Sequence, residues 1–188
     1  VCSSDLEAIL RQSGIYDVRV IHIHGNLNDH YDPRNKTLAL SDPVYSSTSV
    51  AAVSVAAHEC GHAIQHASHY VPLKIRGSLV PVANFGSAIS WPIILVGIFM
   101  GFNHTLITIG ILLFSAVVLF HLITLPVEFN ASARGLRILS GNGMLMGDEN
   151  TGARKVLRAA AFTYVASAAG MILQLLRLLI LTRGRRDN

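Results

Sequence analysis

His58, Glu59 and His62 are the residues of this chain whose types and spacing can do chemistry. Two histidines four positions apart project from one face of a helix, one turn above the other, and can grip a single metal ion. The glutamate between them then stands beside the water that such an ion would hold. The surrounding run, Ser49 to His69, is rich in Ala, Val, Ile, Gln and His, a composition that suits the helix this geometry needs. The chemistry of such a set is hydrolysis by metal-activated water, with zinc as the ion and Glu59 as the base.

Two histidines are not a complete site, because catalytic zinc usually takes three protein ligands and leaves a position for water. His66 continues the series from His62 but lies about 12 Å along the helix axis from His58 at 1.5 Å per residue, too far to share their ion. Glu128 is the better candidate. No Asp, Glu, Lys or Arg occurs between Gly77 and Val127, enough chain to cross a bilayer twice at about 20 residues per crossing. A hairpin of that kind returns the chain to the side it left, and Glu128 is the first charged residue after it. Asn130, Ser132 and Arg134 follow closely enough to support the ligands by hydrogen bonding. His121, seven residues before Glu128, shares its helical face, and packing or an interhelical hydrogen bond is its expected role.

The elements that must position these residues follow from composition and pattern. Of the 188 residues, 51% are hydrophobic and 14% charged, and the mean hydropathy is +0.46, values that point to a membrane protein. The expected fold is a mainly α membrane protein: a small α+β zincin-like module with a short two-stranded sheet, plus three transmembrane helices. Val1 to Leu6 reads as the translation of a sequencing-adapter end, so the natural chain is expected to resume near Glu7, with any export signal or leading span ahead of it. Cys60 is then the one genuine cysteine, a small buried residue off the ligand face. Residues 7–76 form the zincin-like module: a helix over Asp5–Ser13 closed by Gly14, a strand over Val18–His24, turn chemistry from Gly25 to Asn35, a second strand over Lys36–Leu40, and Ser46, Ser47 and Thr48 as N-cap hydroxyls for the metal-binding helix. The transmembrane hairpin occupies 77–127, with spans over Leu79–Met100 and Leu106–Leu125. The third-ligand helix and a polar connector take 128–158. A third span and a basic tail take 159–188, with Arg177 near enough to the end of the span to snorkel.

The motifs Leu27-Asn28-Asp29-His30-Tyr31-Asp32-Pro33, Val55 to His66, Leu79-Val80-Pro81-Val82-Ala83-Asn84 and Leu125 to Ser132 closely resemble those of the YugP-type bacterial membrane zinc metallopeptidases, and the likeness runs through nearly everything from Glu7 onward. The resemblance implies a zinc-dependent peptidase in the membrane, with His58 and His62 as ligands and Glu59 as catalytic base. The chain is also similar to the wider gluzincin plan, in which a glutamate on a second helix completes the site; here that is Glu128. Ser132 stands where CAAX-type prenyl-protein proteases carry an acidic residue or Asn.

One Zn2+ ion is therefore the expected cofactor and a polypeptide, membrane-proximal or unfolded, the expected substrate. Candidate donors to the carbonyl oxygen of the scissile bond, or to the ligands, are His30, Tyr31, Tyr45, Asn130 and Arg134. The strand Lys36–Leu40, if it lies at the sheet edge, would pair with an extended substrate backbone. His22, His24, His66 and His69 are expected to lie on the polar surface or to pack through hydrogen bonds. The net charge of +4 and the Arg183-Gly184-Arg185-Arg186 tail fit lipid headgroups better than nucleic acid. Lys74, Arg76, Arg134, Arg137, Arg154, Lys155 and Arg158 flank the spans on the His58 side, so the positive-inside rule tilts the site toward the cytoplasm of a multi-pass protein of the cell membrane. The competing function is a catalytically silent membrane scaffold whose zinc is structural.

Overall fold

A computed structural model describes residues 3–183, with side chains from Leu6 to Thr182. The adapter-like Val1 and Cys2 and most of the basic tail, residues 184–188, lie outside the described residues. The chain divides into two compact units: residues 1–73 with 127–162, and residues 74–126 with 163–188.

The first unit begins with α1 (Ser3–Gln12). Leu6, Ile9 and Leu10 are fully buried along it, the i, i+3, i+4 stripe of a helix with one face on a core. Gly14, at φ +76°, ends the helix while the Ile15 amide donates to the Leu10 carbonyl, a closure that needs the left-handed backbone glycine adopts freely. The chain then forms β1 (Arg19–Ile23), β2 (His30–Asp32) and β3 (Thr37–Ser41). The sheet order is β1-β3-β2, with β1 parallel and β2 antiparallel to β3.

This sheet departs from the expected two strands in a way that matters for function. His30-Tyr31-Asp32 lies inside the stretch read as turn, yet it pairs with Ala39, Leu38 and Thr37. Consequently β3 is the central strand, with all five residues buried. It has no free edge, so the expectation that Lys36–Leu40 pairs with substrate is overturned: both sides of its hydrogen-bonding ladder are taken by β1 and β2.

A short helix, α2 (Asp42–Tyr45), leads to α3 (Val50–Ala67). The N-cap of α3 is Ser49, one residue beyond the three expected hydroxyls; its side chain accepts a hydrogen bond from the Ala52 amide. Ala52, Ala56, Cys60 and Ala63 turn one face of α3 toward α1 and the sheet, in a core with Leu38, Leu40 and Val44. Ala57 turns another face toward Leu139, Leu145 and Ala153. Those residues belong to α5 (His104–Gly141), of which this unit holds the part from Val127, and to the connector and start of α6 (Gly147–Arg183). A Cβ on Gly61 would lie 2.3 Å from the Ala131 carbonyl oxygen, and one on Gly135 would lie 2.7 Å from that of Ala57. Backbone against backbone, α3 and the second half of α5 thus cross at a distance only glycine permits.

The second unit contains most of α4 (Val71–Phe99), the first part of α5 and the last part of α6. These three helices are each long and apolar enough to cross a membrane. The α4–α5 hairpin is also closed on glycine: a Cβ on Gly86 would meet the Leu113 carbonyl oxygen at 2.8 Å, and one on Gly110 the Ser90 carbonyl oxygen at 2.9 Å. Such small-residue contacts let backbones approach where lipid removes the hydrophobic drive for packing. Ile94, Phe114, Val118 and Leu178 make its core, while Phe85, Phe99, Leu112, Leu173 and Ile180 point outward. Pro81 and Pro92 lie inside α4 and Pro126 inside α5, so α5 runs through its proline without a break and carries Glu128 on the same helix as the second span.

Candidate metal centre

The crossing of α3 and α5 is what brings the chemistry together. Ala57 and Gly61 make the close approach from α3, and His58 and His62 follow each of them by one position. Ala131 and Gly135 make it from α5, and Glu128 and Ser132 stand one turn nearer its start. The geometry matches this register. Glu128 Oε2 lies 3.1 Å from His58 Nε2 and 3.5 Å from His62 Nε2, and the three side chains are nearly enclosed, 13%, 12% and 3% exposed for His58, His62 and Glu128.

Each imidazole is held from behind. Gln65 donates through Nε2 to the Val127 carbonyl at 2.8 Å and to Asn130 Oδ1 at 3.0 Å. A carbonyl oxygen accepts only, so this fixes the amide of Gln65 with its oxygen toward His62. The Gln65 oxygen in turn accepts from His62 Nδ1–H at 3.0 Å, which puts the His62 proton on Nδ1 and leaves the lone pair of Nε2 facing Glu128. His58 Nδ1 shares a 3.0 Å hydrogen bond with Ser132 Oγ, so its Nε2 also points inward. Asn130 Oδ1 accepts a second hydrogen bond, from Arg134 Nε at 2.8 Å, and the Arg134 guanidinium lies 5.9 Å from the centre of the Tyr70 ring. A chain of contacts therefore runs Arg134, Asn130, Gln65, His62.

The donor set suits a small divalent cation. Ligand atoms from His58, His62 and Glu128 lie within 4.8 Å of one another. In a tetrahedral site with bonds of about 2.0–2.2 Å, neighbouring ligand atoms stand about 3.4 Å apart, close to the two separations found here. The electrostatics agree. Burial works to lower the pKa of His62, but the Glu128 hydrogen bond and the charges of Glu59 and Glu128 outweigh it and raise the value above that of a free histidine. The field that favours a proton at this point favours a metal cation in the same way. Glu59 is buried on α3. Burial, and then the charge of Glu59, push the Cys60 thiol up, so it stays protonated and faces the core.

The other residues singled out from the sequence fall in different surroundings. His30 Nδ1–H donates to the Asn28 carbonyl at 2.8 Å, at the exposed start of β2. Tyr31 Oη shares a 2.9 Å hydrogen bond with His66 Nδ1, and burial followed by the charges of Asp17 and Asp32 push its phenol up to about 12. Tyr45 packs on the His22 ring at 4.8 Å. Asn130, Ser132 and Arg134 do join the network around the histidines. Gln65 was not anticipated; its signal is that it follows His62 by three positions and so shares its helical face.

Comparison with known proteins gives a consistent result. The model of a family described as "Putative neutral zinc metallopeptidase" matches residues 5–183. A curated protein of Bacillus subtilis (strain 168), "Putative membrane protease YugP", is 48% identical over 181 residues, covering 96% of this chain and 80% of that relative. No solved structure matches the chain.

Proposed function

Because this chain belongs to the neutral zinc metallopeptidase family, we propose that it is a multi-pass endopeptidase of the cell membrane that holds one zinc ion through His58, His62 and Glu128. The observation that carries this reading is the buried cluster of two imidazole nitrogens and a carboxylate found among the described residues, built on a helix that also supplies Glu59 between the two histidines. Bound zinc would supply a Lewis acid and bring the pKa of water from 15.7 toward about 7.

The remaining work falls to the chain itself. Glu59 takes the proton of the attacking water and delivers it to the departing amine, so one carboxylate serves as base and then acid. Gln65 keeps His62 in the tautomer that presents Nε2, and Ser132 holds the His58 ring so that its Nε2 faces the same point. Asn130 and Arg134 are positioning residues that act on His62 through Gln65. Enclosure of the cluster strengthens every one of these interactions by excluding water. The substrate is a membrane-proximal or unfolded polypeptide, and the basic residues flanking the spans favour a cytoplasmic site.

The test is Glu59→Gln in the full chain, purified in detergent. It is expected to retain zinc while cleavage of an unfolded protein such as casein falls by about 10²–10⁴ in kcat. Full activity in that variant would sink the assignment of Glu59. Wild type that binds zinc yet cuts no substrate would favour a structural ion.

A further inference from the structure

His22, His24 and Asp42 form a second cluster of metal-ligating side chains, remote in sequence from His58 and borne by other elements. We propose that they bind a second divalent transition-metal ion, of the zinc class, on the exposed end of the sheet, independently of the reading of His58, His62 and Glu128. One ligand atom from each lies within 4.8 Å of the others. Asp42 Oδ1 is the meeting point, 2.7 Å from His22 Nε2 and 3.5 Å from His24 Nδ1.

The cluster is built, and does not depend on chance contacts between mobile side chains. His22 lies in β1 and His24 follows the strand's last residue, Ile23, with the two rings edge to face at 5.2 Å. Asp42 opens α2 directly after β3, and β3 lies beside β1 in parallel register with His22 opposite Leu40 and Ile23 opposite Ser41. Two reciprocal hydrogen bonds tie the segments where they end: Gly25 N–H donates to Asp42 Oδ2 at 2.9 Å, and Asp42 N–H donates to the Gly25 carbonyl at 3.2 Å. Gly25 makes this possible at φ +116°, a conformation closed to other residues. Asp29 anchors the neighbouring Ser41, accepting from both its amide and its hydroxyl at 2.8 Å. With Oδ2 committed to Gly25, Asp42 offers Oδ1 alone, and the His22 ring is held by stacking at 4.8 Å on Tyr45. Only His24, 94% exposed, must settle on binding, which keeps the ordering cost low.

The ligand chemistry selects the ion. Two imidazoles and one carboxylate suit zinc, copper, nickel or cobalt, and not magnesium or calcium, which take all-oxygen shells. Exposure leaves the remaining coordination positions to water, so the ion should exchange with free metal far more readily than one buried at His58.

The experiment is equilibrium dialysis of the metal-stripped full chain in detergent against Zn2+ alone, with bound zinc counted per chain. Wild type should bind two equivalents, His24→Ala one, and His58→Ala one, with the weaker equivalent missing from the first variant and the tighter one from the second. Asp42→Asn, which keeps the size of the side chain, should match His24→Ala. The proposal is overturned if His24→Ala and Asp42→Asn bind as many equivalents as wild type, or if wild type binds a single equivalent that His58→Ala removes. The latter outcome would leave the assignment of the buried cluster intact.

Discussion

Both histidine clusters in the first unit use the same donors, two imidazoles and a carboxylate, yet one is enclosed and the other open. At His58, His62 and Glu128 the side chains come from two crossing helices, the carboxylate is 3% exposed, and each ring has a dedicated hydrogen-bonding partner behind it. At His22, His24 and Asp42 the ligands come from a strand end and a helix start, and the carboxylate side chain is 49% exposed. In the function proposed above, burial is what would suit the enclosed set to catalysis: it strengthens the field on a bound ion and keeps bulk water from reacting groups. The open cluster can hold an ion but gives it no special environment.

The largest test of this contrast removes the enclosed carboxylate. Glu128→Ala should abolish peptidase activity and zinc binding at the buried cluster while the open one keeps its ion. Metal counted by dialysis, alongside casein cleavage, checks both halves. Loss of zinc from both clusters would mean that Glu128 supports the whole unit. Gln65→Ala comes next. It deprives His62 of the acceptor that fixes its tautomer, and the loss of such a partner typically costs about 10–100-fold in metal affinity. A competition titration with a chelating dye would measure it; unchanged affinity would mean that Gln65 packs α3 against α5 and does nothing for the ligand.

A similar effect is expected at the crossing itself. Gly61→Ala places a methyl group 2.3 Å from the Ala131 carbonyl oxygen, closer than any real contact, so the helices must separate. Overpacking of this kind costs about 1–3 kcal/mol, and the separation moves Glu128 away from both histidines. Weaker zinc binding at the buried cluster, with the open cluster unaffected, is the expected signature in the same titration. Equal affinity with lowered stability would show that the crossing tolerates the shift.

How much of this could be read in the sequence differs between the two clusters for a physical reason. The buried one was legible because each of its parts leaves a local mark: His58 and His62 one helical turn apart, and a charge-free stretch that ends at Glu128. A hairpin long enough for two crossings has only one simple way to return, and that is a topological statement the hydrophobic pattern can make. The open cluster joins residues 18 or more positions apart through parallel pairing of β1 with β3, and parallel register has no local signature. The same gap hid β2: His30, Tyr31 and Asp32 sit among Asn, Asp, Gly and Pro, and the strand is only three residues long, so turn chemistry masked it. Without β2, β3 would be an edge strand. Gln65 carries no comparable mark, since a glutamine on a helix is usually solvated; here its two acceptors, Val127 and Asn130, come from a helix more than sixty positions away.

The smallest expected effect separates helix stability from site integrity. Ser49 caps α3 through the Ala52 amide, and replacing such a cap by Ala costs about 1 kcal/mol. In Ser49→Ala the loss should stay in the first turn, because Val50 lies two turns ahead of His58 and the later residues are clamped by Gly61, Gly135 and Gln65. Hydrogen exchange of the amides in that turn should quicken by about fivefold, the equivalent of 1 kcal/mol, while zinc affinity at both clusters stays at the wild-type value. If affinity at the buried cluster fell together with protection, α3 would be acting as one cooperative rod. The enclosure of His58 and His62 would then depend on the whole helix, and the crossing alone would not be enough to hold them in place.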